Sequence, residues 1–263
     1  MKEDDLMENK LTVVILTKNE EDNIINAIEN AKLVSDDVLI IDSGSTDRTV
    51  VLAEAAGARI AYREWDDDFS AQRNFAISQT DAEWLLYLDA DEEMNEDLVS
   101  AIRKILSGPS NPAMYRFIRR TSAFGKNFRY GVLSPDSVVR LFPRIGVRWV
   151  NKVHEHPESE NLKTVTLPGY LRHYTYKNYA QYVGKMNLYS SIWADNNRHK
   201  KVFFLKDIVL KPAFAFFKMY VLQGGFLEGW LGFALSASYA DYTMNKYAKL
   251  KMLKEEEISA IRG

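Results

Sequence analysis

The stretch at residues 84–93, WLLYLDADEE, joins an apolar run directly to a cluster of acids. Five large apolar or aromatic residues in succession are typical of a β-strand that is buried on both faces. Four carboxylates follow within the next five positions. Because ligands bind at the carboxyl ends of the strands in open α/β sheets, the pattern predicts that these acids lie at a binding site.

The segments before this stretch alternate strand and helix signals. Apolar runs predict strands at residues 11–16, 38–41, 58–62 and 84–88. Polar caps followed by periodic apolar positions predict helices at about 19–32, 45–56 and 69–79. Alternation at this spacing indicates a mostly parallel sheet with right-handed connections and helices on both faces. The predicted fold class is therefore α/β.

The rest of the chain has a different character. Residues 101–180 contain short β-like runs and many arginines, whereas residues 202–244 are very apolar but interrupted by charges. The longest charge-free piece, residues 229–240, is shorter than the roughly 20 residues that a membrane-spanning helix needs. We therefore expect three segments, 1–100, 101–180 and 181–263, of which the last is an amphipathic helical extension.

Charge is distributed unevenly along the chain, although the formal net charge is only −2. Residues 1–100 carry 8 basic and 25 acidic side chains, whereas residues 161–254 carry 14 and 4. This asymmetry predicts a charged partner for the basic part, either phosphates or an anionic membrane surface. Lysines interleave with aromatic residues between positions 200 and 230, which favours the membrane; core packing or a dimer interface is the alternative. Nucleic acid is not expected, because the apolar run is dense and no nucleic-acid motif is present.

The chain contains no cysteine, which excludes disulfide bonds and thiolate nucleophiles or metal ligands. A chain of this kind fits a reducing compartment. The first ten residues, MKEDDLMENK, are acidic and polar, unlike a secretory signal. We expect a cytoplasmic protein that lies peripherally on the inner face of the cytoplasmic membrane.

Two acidic positions at predicted strand ends are candidates for ligand binding. Asp89 and Asp91 are one residue apart, so both can reach one hard divalent cation and leave positions for phosphate oxygens. Their alternative role is to cap the helix predicted near Asn95. Asp42 follows the second strand, where it can accept a hydrogen bond from a nucleobase or ribose, or form the turn.

The whole pattern resembles glycosyltransferase family 2, whose members have the GT-A fold. Four motifs carry the resemblance within about the first 95 residues: TVVILTKNEEDNI, VLIIDSGSTDRTV, FSAQRNFAI and WLLYLDADEE. Later motifs are similar to a bacterial branch that contains lipopolysaccharide core β-glucosyltransferases: VVRLFPR, NKVHEHPE, LRHYTYKNYAQYVGKMNLY and KPAFAFFKMYVLQGGFLEGWLGF. The resemblance covers nearly the whole chain.

The resemblance implies roles for individual residues. Asp89 and Asp91 match the D-x-D motif, which binds Mg²⁺ or Mn²⁺ together with the diphosphate of a nucleotide sugar. His173 is expected to complete the metal shell, with a packed structural histidine as the alternative. The residues expected to bind the nucleotide sugar are Thr17, Asn19, Glu20, Asp42, Arg73, Asp89 and Arg140. For Arg140 the alternative is a surface salt bridge.

Inverting transfer also needs a group that takes the proton of the acceptor hydroxyl. The resemblance assigns this role to Glu155, and partial burial raises the pKa of a carboxyl toward neutrality. His154 and His156 are the alternatives, because the unperturbed pKa of histidine is about 6.5. An exposed polar loop without a catalytic role is the remaining interpretation of this segment.

The expected function is metal-dependent inverting transfer of a hexose, with glucose from UDP-glucose as the donor and a lipopolysaccharide core or other glycolipid as the acceptor. One alternative is transfer to a polyprenyl phosphate, which is already an anion and does not need Glu155. Another is a catalytically inactive scaffold at the membrane surface, which the intact Asp89, Asp91 and Glu155 argue against. A nucleotidyltransferase is not expected, because the loop LTKNEEDN lacks glycine.

Overall fold

Eleven strands and seven α-helices form in the part of the chain that the computed structural model describes, residues 10–108, 112–151 and 155–262. The strands are β1 (Leu11–Thr17), β2 (Val38–Asp42), β3 (Arg59–Tyr62), β4 (Trp84–Asp89), β5 (Glu92–Met94), β6 (Met114–Ala123), β7 (Lys126–Asn127), β8 (Asp136–Pro143), β9 (Arg148–Val150), β10 (His156–Glu158) and β11 (Thr164–Tyr176). The α-helices are α1 (Ile24–Ala31), α2 (Thr49–Ala55), α3 (Phe69–Ser78), α4 (Glu96–Ser107), α5 (Tyr179–Asn196), α6 (Lys211–Phe217) and α7 (Trp230–Arg262).

The described strands form a nine-stranded mixed sheet and a separate pair, β9 with β10. The order in the large sheet is β3-β2-β1-β4-β8-β6-β11-β5, with β7 paired to β6. The first four strands of this order are parallel, and β8 then runs antiparallel to β4. The predicted α/β fold class is confirmed. The four parallel strands, β1 to β4, are the strands predicted within the first hundred residues.

The parallel strands form because their residues can be buried on both faces of the sheet. Every residue of β2 is buried, and so are residues 84–88 of β4. Alternate residues point to opposite faces, so Leu86 and Leu88 join one apolar cluster and Leu85 and Tyr87 join the other. Burial of each large side chain contributes about 1.5–3 kcal/mol. The apolar run in WLLYLDADEE is therefore the centre of the fold.

The first two helices begin later than predicted. α1 begins at Ile24, because Asn19 adopts a left-handed backbone conformation with a φ of 58° and belongs to the loop after β1. α2 begins at Thr49, and Ser45 is not its cap. Instead the Asp47 carboxylate accepts the backbone N–H of Thr49 at 2.9 Å. An acceptor at this position stabilises the first turn of a helix.

Strand β11 lies close to the first turn of α4, and Gly169 makes this approach possible. A Cβ atom at Gly169 would lie 2.4 Å from the backbone nitrogen of Leu98, which is a steric overlap. Its φ of 88° also favours glycine. Asn95 then joins the two elements, because its side-chain oxygen accepts the N–H of Tyr170 at 2.7 Å. This contact fixes the position of β11 beside the acidic motif.

The chain divides into two compact units. The first comprises residues 1–119 and 136–173, and the second comprises residues 120–135 and 174–263. The predicted boundary at residue 100 falls inside α4, and the one at residue 180 falls at the start of α5. The helical C-terminal extension that the sequence predicts is present in the second unit.

The second unit is built mainly from helices. Two π-helical segments, Phe204–Leu210 and Lys218–Leu222, flank α6, and α7 follows a short 3₁₀ turn at Gly225–Glu228. Its apolar core consists of Ala123, Phe128, Leu133, Tyr182, Leu231 and Leu235. Among the described helices, none is both long enough and apolar enough to span a bilayer.

Candidate functional site

The carboxyl ends of β1, β2 and β4 meet at one edge of the sheet. In the parallel pairing, Thr17 lies beside Asp42, and Leu16 lies beside Asp89. The polar groups predicted at three strand ends therefore face the same region. This is the edge at which open α/β sheets bind ligands.

Asp42 lies at this edge, but its carboxylate is already saturated with hydrogen bonds. Oδ2 accepts the backbone N–H groups of Gly44 and Ser45, each at 2.9 Å. Oδ1 accepts the hydroxyl groups of Ser45 at 2.6 Å and Thr17 at 3.3 Å. A carboxylate has about four acceptor positions. This arrangement fits the turn-forming alternative for Asp42 and leaves no free acceptor for a nucleoside in this conformation.

Asn19 and Glu20 connect the loops after β1 and β2. The Asn19 side-chain oxygen accepts the backbone N–H of Thr46 at 2.8 Å, and the Asn19 backbone N–H donates to the Ser45 hydroxyl at 2.9 Å. The N–H of Glu20 donates to the Thr49 hydroxyl at 2.7 Å. Both residues lie at the predicted edge, where they fix the shape of the loop that a nucleoside would meet.

Asp89, the first acid of the motif, binds two arginines. Arg140 Nη2 contacts one carboxylate oxygen, and Arg73 Nη2 donates to the other at 3.1 Å. Arg140 reaches this position because β8 pairs with β4, with Leu141 opposite Leu86. Burial would raise the pKa of the Asp89 carboxyl, but the charges of Arg140 and Arg73 hold that pKa well below its ordinary value. Asp89 is therefore ionised and neutralised by the chain itself.

Glu92 is the buried centre of the same charge network. Its Oε1 accepts from Arg140 at 2.9 Å and from Arg119 at 3.2 Å, and its Oε2 accepts the backbone N–H of Asp89 at 3.1 Å. Arg119 also binds Asp136, with Nη2 to Oδ2 at 2.6 Å. Burial alone would lower the pKa values of Arg140 and Arg119, but the facing carboxylates raise both above the ordinary arginine value.

Asp91 and His173 form a separate pair. His173 Nε2 lies 3.2 Å from Asp91 Oδ2, because the antiparallel pairing of β5 with β11 places His173 opposite Glu92. A carboxylate oxygen and an imidazole nitrogen can both ligate Mn²⁺. Mg²⁺ in proteins commonly takes one or two carboxylates and completes its shell with phosphate oxygens and water. The pair fits a site of this partial kind.

The predicted three-residue metal set is not assembled. Asp89 faces Arg73 and Arg140, so its oxygens are turned to cations and not to the pair formed by Asp91 and His173. Within the described residues, no group of three or more histidine and acidic side chains is arranged to hold a metal. Asp91 and His173 can therefore supply two protein ligands to a metal ion, whose remaining coordination positions would be open to phosphate and water.

Arg73 is held in a cage of aromatic rings and acids. Its guanidinium carbon lies 4.6 Å from the centre of the Trp149 ring and 5.6 Å from that of Tyr87. Its Nε lies 3.5 Å from Glu155 Oε1. Cation–π contacts of this kind contribute about 1–2 kcal/mol when the cation is desolvated. Arg73 thus links Asp89, at the end of β4, to Glu155.

A cavity of about 420 Å³ lies between these groups in the first unit. Four arginines and two acids are among its lining residues: Arg73, Arg116, Arg119, Arg140, Asp89 and Glu155. Small-molecule sites have volumes of about 300–1,000 Å³. The cavity thus brings together the predicted residues Arg73, Asp89, Arg140 and Glu155.

Two of the three predicted base candidates can be placed. Glu155 and His156 line the cavity, and the Glu155 side chain is about 20% exposed. His154 lies outside the described residues. Glu155 is thus partly shielded from water and open to a ligand, which is what a general base needs.

Sequence reasoning gave no role to Glu92, Arg116, Arg119 or Trp149. In the sequence, Glu92 is only one of the four acids of the motif. Its burial follows from the pairing of β5 with β11, which the sequence does not indicate. Arg116 and Arg119 are part of the arginine-rich middle of the chain. The excess of positive charge there was a signal, but only the antiparallel pairing of β6 with β8 brings these side chains to the cavity.

Comparison with known proteins gives a consistent result. A family model described as glycosyl transferase family 2 matches residues 12–148. An uncharacterized glycosyltransferase of Rickettsia bellii (strain RML369-C) is 28% identical over 262 residues, which cover 95% of this chain and 88% of that protein. The lipopolysaccharide core biosynthesis glycosyltransferase LpsC of Rhizobium meliloti (strain 1021) is 27% identical over 249 residues, 91% of each chain.

Among solved structures, glucosyl-3-phosphoglycerate synthase from Mycobacterium tuberculosis, in complex with Mn²⁺, UDP and phosphoglyceric acid, is similar to part of the chain. The two superpose with a TM-score of 0.38 and 20% sequence identity. The similarity covers 52% of this chain and 56% of the other.

Proposed function

The chain belongs to glycosyl transferase family 2, and we propose that it is a metal-dependent inverting hexosyltransferase. The proposed donor is a UDP-sugar, with UDP-glucose first among them. The proposed acceptor is a hydroxyl group of a lipopolysaccharide core sugar or another glycolipid. The family membership makes the chain a glycosyltransferase, and the donor, acceptor and mechanism are the proposed part.

One arrangement carries the proposal. Asp91 Oδ2 and His173 Nε2 lie 3.2 Å apart and form a pair of possible metal ligands. Asp91 follows two residues after Asp89, and Asp89 and Glu155 both line the cavity. The proposed cation ligand Asp91 thus follows β4 closely in the chain, and the proposed carboxylate base lines the cavity at Asp89. These are the two groups that displacement of a nucleoside diphosphate by a hydroxyl needs.

The transfer is a single displacement at the anomeric carbon of the donor. The acceptor oxygen forms a bond to this carbon, while the bond from the carbon to the diphosphate oxygen breaks and its electron pair leaves with the nucleotide. The proton of the acceptor hydroxyl passes to Glu155. Because Arg73 lies 3.5 Å from Glu155, it holds the carboxylate in place.

Asp91 and His173 would hold the divalent cation, Mg²⁺ or Mn²⁺. When bound, the cation neutralises the charge of the diphosphate. Arg73 and Arg140 each bind one carboxylate oxygen of Asp89, so they hold this side chain and compensate its charge. We propose that Asp42, Asn19 and Glu20 shape the nucleoside loop, with Thr17 beneath it.

We also propose that the second unit binds an anionic membrane surface. Between residues 203 and 233 the helices expose many large apolar side chains, and Trp230 is 80% exposed. The exposed apolar residues are Phe203, Phe204, Leu205, Val209, Leu210, Phe214, Phe217, Val221, Leu222, Phe226, Leu227, Trp230 and Phe233. Soluble monomers rarely expose apolar residues at this density.

Basic side chains accompany this apolar surface. Lys200, Lys201, Lys206 and Lys218 are exposed beside it. Each lysine near an anionic bilayer contributes about 1 kcal/mol to binding. The charge and the apolar face together fit a helix that lies in the interface of the cytoplasmic leaflet. A surface location also suits a lipid-linked acceptor, and the similarity to LpsC supports a lipopolysaccharide acceptor as the first to test.

The experiment for the proposed function is calorimetric titration of the full chain with UDP-glucose, UDP-galactose, UDP-GlcNAc and GDP-mannose. Each titration is made with Mn²⁺ and again with EDTA. We expect one UDP-sugar to bind only with the metal. Equal binding with EDTA would remove the metal from the proposal, and preference for GDP-mannose would overturn the UDP-sugar donor.

A further inference from the structure

Among the described residues that line the cavity, one arginine has no described acid as a partner. Arg140 binds Asp89 and Glu92. Arg119 binds Glu92 and Asp136. Each of these arginines therefore has acidic partners of its own.

Arg73 likewise faces two acids, Asp89 and Glu155. Arg116 also lines the cavity, and it is exposed. Within residues 10–108, 112–151 and 155–257, Arg116 makes no ion pair and no side-chain hydrogen bond. Its positive charge is thus not compensated by any acid in the described part of the chain and is available to a ligand.

A second observation concerns two other arginines that line the cavity. Arg73 Nη1 and Arg140 Nε are buried and have no hydrogen-bond partner in the described part of the chain. A buried donor without an acceptor costs about 1–3 kcal/mol. Both donors belong to side chains that line the cavity. These two donor groups therefore lack acceptor oxygens beside a cavity that four arginines line.

Under the proposed function, Glu155 marks the acceptor side of this cavity, although Arg73, Asp89 and Arg140, to which the resemblance gives a nucleotide-sugar role, also line it. It is lined by Glu155, which would take the acceptor proton, but not by Asp91 or His173, which would hold the cation at the donor diphosphate. An acceptor that enters the cavity would bring a hydroxyl group to Glu155 and would meet the positive charge of Arg116.

We infer that the acceptor carries an anionic group, a phosphate or a carboxylate, and that Arg116 binds it at this cavity. The inference rests on the proposed function, because the role of Glu155 defines the acceptor side. It adds the chemical class of the acceptor, an acidic sugar in place of a neutral one. Arginine suits the task because its planar guanidinium binds both groups in a bidentate manner.

The test uses two probes that differ only in one anionic group, glucose 6-phosphate and glucose. Their binding to the full chain is measured by calorimetry at low ionic strength, where screening is weak. We expect glucose 6-phosphate to bind and glucose not to bind detectably. We expect Arg116→Gln to weaken glucose 6-phosphate binding by about tenfold or more, and Arg116→Lys to retain part of it. Glucose 6-phosphate binding that Arg116→Gln leaves unchanged would overturn the inference.

The matched control is Arg148→Gln, because Arg148 is exposed and lies outside this cavity. It should leave glucose 6-phosphate binding unchanged. Equal weakening by Arg148→Gln would mean that general positive charge, and not the cavity, attracts the probe. That result would overturn the inference.

The donor is the other source of phosphate, so UDP with Mn²⁺ is titrated into the same variants. If Arg116→Gln weakens UDP binding as much as glucose 6-phosphate binding, Arg116 serves the donor and the inference fails. If the wild type binds UDP but not glucose 6-phosphate, the inference fails while the proposed function stands. If it binds glucose 6-phosphate through Arg116 but binds no UDP-sugar, the anion site stands and the proposed function fails.

Discussion

Glu92 accepts the backbone N–H of Asp89 at 3.1 Å, so the third acid of the motif fixes the position of the first. The same Glu92 carboxylate binds Arg140 at 2.9 Å. The four acids that follow WLLYL are thus unlike one another. Asp89 and Glu92 are neutralised by arginines, and Asp91 remains beside His173. The dense negative charge at the end of β4 is compensated mainly by arginines that the fold brings to it.

We expect Glu92→Gln to destabilise the protein by about 3 kcal/mol, because removal of one charge from a buried ion-pair network leaves the positive charges of its partners less fully compensated. Both Arg140 and Arg119 lose a charged partner in this variant. Urea denaturation at pH 7 measures the change. The control is Glu93→Gln, since Glu93 is half exposed and an exposed pair contributes about 1 kcal/mol or less. Equal losses in the two variants would contradict the central position of Glu92.

We expect Asp91→Ala to reduce Mn²⁺-dependent UDP binding by more than about tenfold, because loss even of groups that support a metal ligand has this effect. The Asp91 side chain is about a third exposed, so the midpoint of thermal unfolding should stay nearly constant. Calorimetry with and without Mn²⁺ makes the measurement. Asp97→Ala, in the first turn of α4, is the matched control and should keep wild-type affinity. Unchanged UDP affinity in Asp91→Ala would remove Asp91 from the metal site.

We expect Glu155→Gln to lower turnover by about 10²–10⁴-fold, because it removes the general base. Binding of the UDP-sugar should change little. Single-turnover assays with a sugar acceptor measure the effect, and Glu158→Gln on β10 is the control. Wild-type turnover in Glu155→Gln would argue against this base and would favour a polyprenyl phosphate acceptor, which has no proton to lose.

We expect the double variant Phe204→Ser and Phe214→Ser to bind anionic vesicles more weakly than the wild type. Both side chains are at least 60% exposed, and each serine removes apolar area worth about 1.5–3 kcal/mol when buried in lipid. Co-sedimentation with vesicles of phosphatidylserine and phosphatidylcholine measures this. Val51→Ser, at an exposed valine of the first unit, is the control. Undiminished binding by the double variant would remove this surface as the anchor, and loss of folding would favour core packing.

We expect Glu228→Gln to lower the free energy of unfolding by about 2 kcal/mol at pH 7, because the carboxylate makes charge-assisted hydrogen bonds. It accepts the N–H groups of Arg129 at 2.8 Å and Tyr130 at 3.0 Å, and it binds Lys126 at 2.6 Å. Burial would raise the pKa of Glu228, but these donors lower it below 4.5.

The sign of the pH dependence follows from this lowered pKa. The stability that Glu228 contributes is present above about pH 4.5 and is lost as the pH falls through the lower pKa of the folded state. The difference between wild type and Glu228→Gln should therefore be large at pH 7 and shrink in acid. Denaturation at a series of pH values checks this. A constant difference would contradict it, and the exposed Glu255→Gln should show almost no effect.

Much of the fold could be predicted from the sequence, because the relevant signals are local. The run at 84–88 and the strand at 38–41 are apolar enough to be buried on both faces, so the parallel core follows from composition and spacing. The predicted helix at 69–79 is present as Phe69–Ser78, where the Asp68 side chain caps it. The predicted helix starts near residues 19 and 45 are wrong, because Asn19 and Ser45 form a hydrogen bond that joins the loops after β1 and β2.

The sequence by itself determined the parallel half of the sheet, the acidic edge at its carboxyl ends and the helical character of the last segment. It could do so because periodicity, capping and charge act between neighbours in the chain. Only the tertiary structure decided which charges meet. Arg140 reaches Asp89 over 51 residues, and His173 reaches Asp91 over 82, through antiparallel pairings that leave no local pattern. The division of the motif into neutralised acids and one acid beside a histidine is therefore a property of the folded sheet.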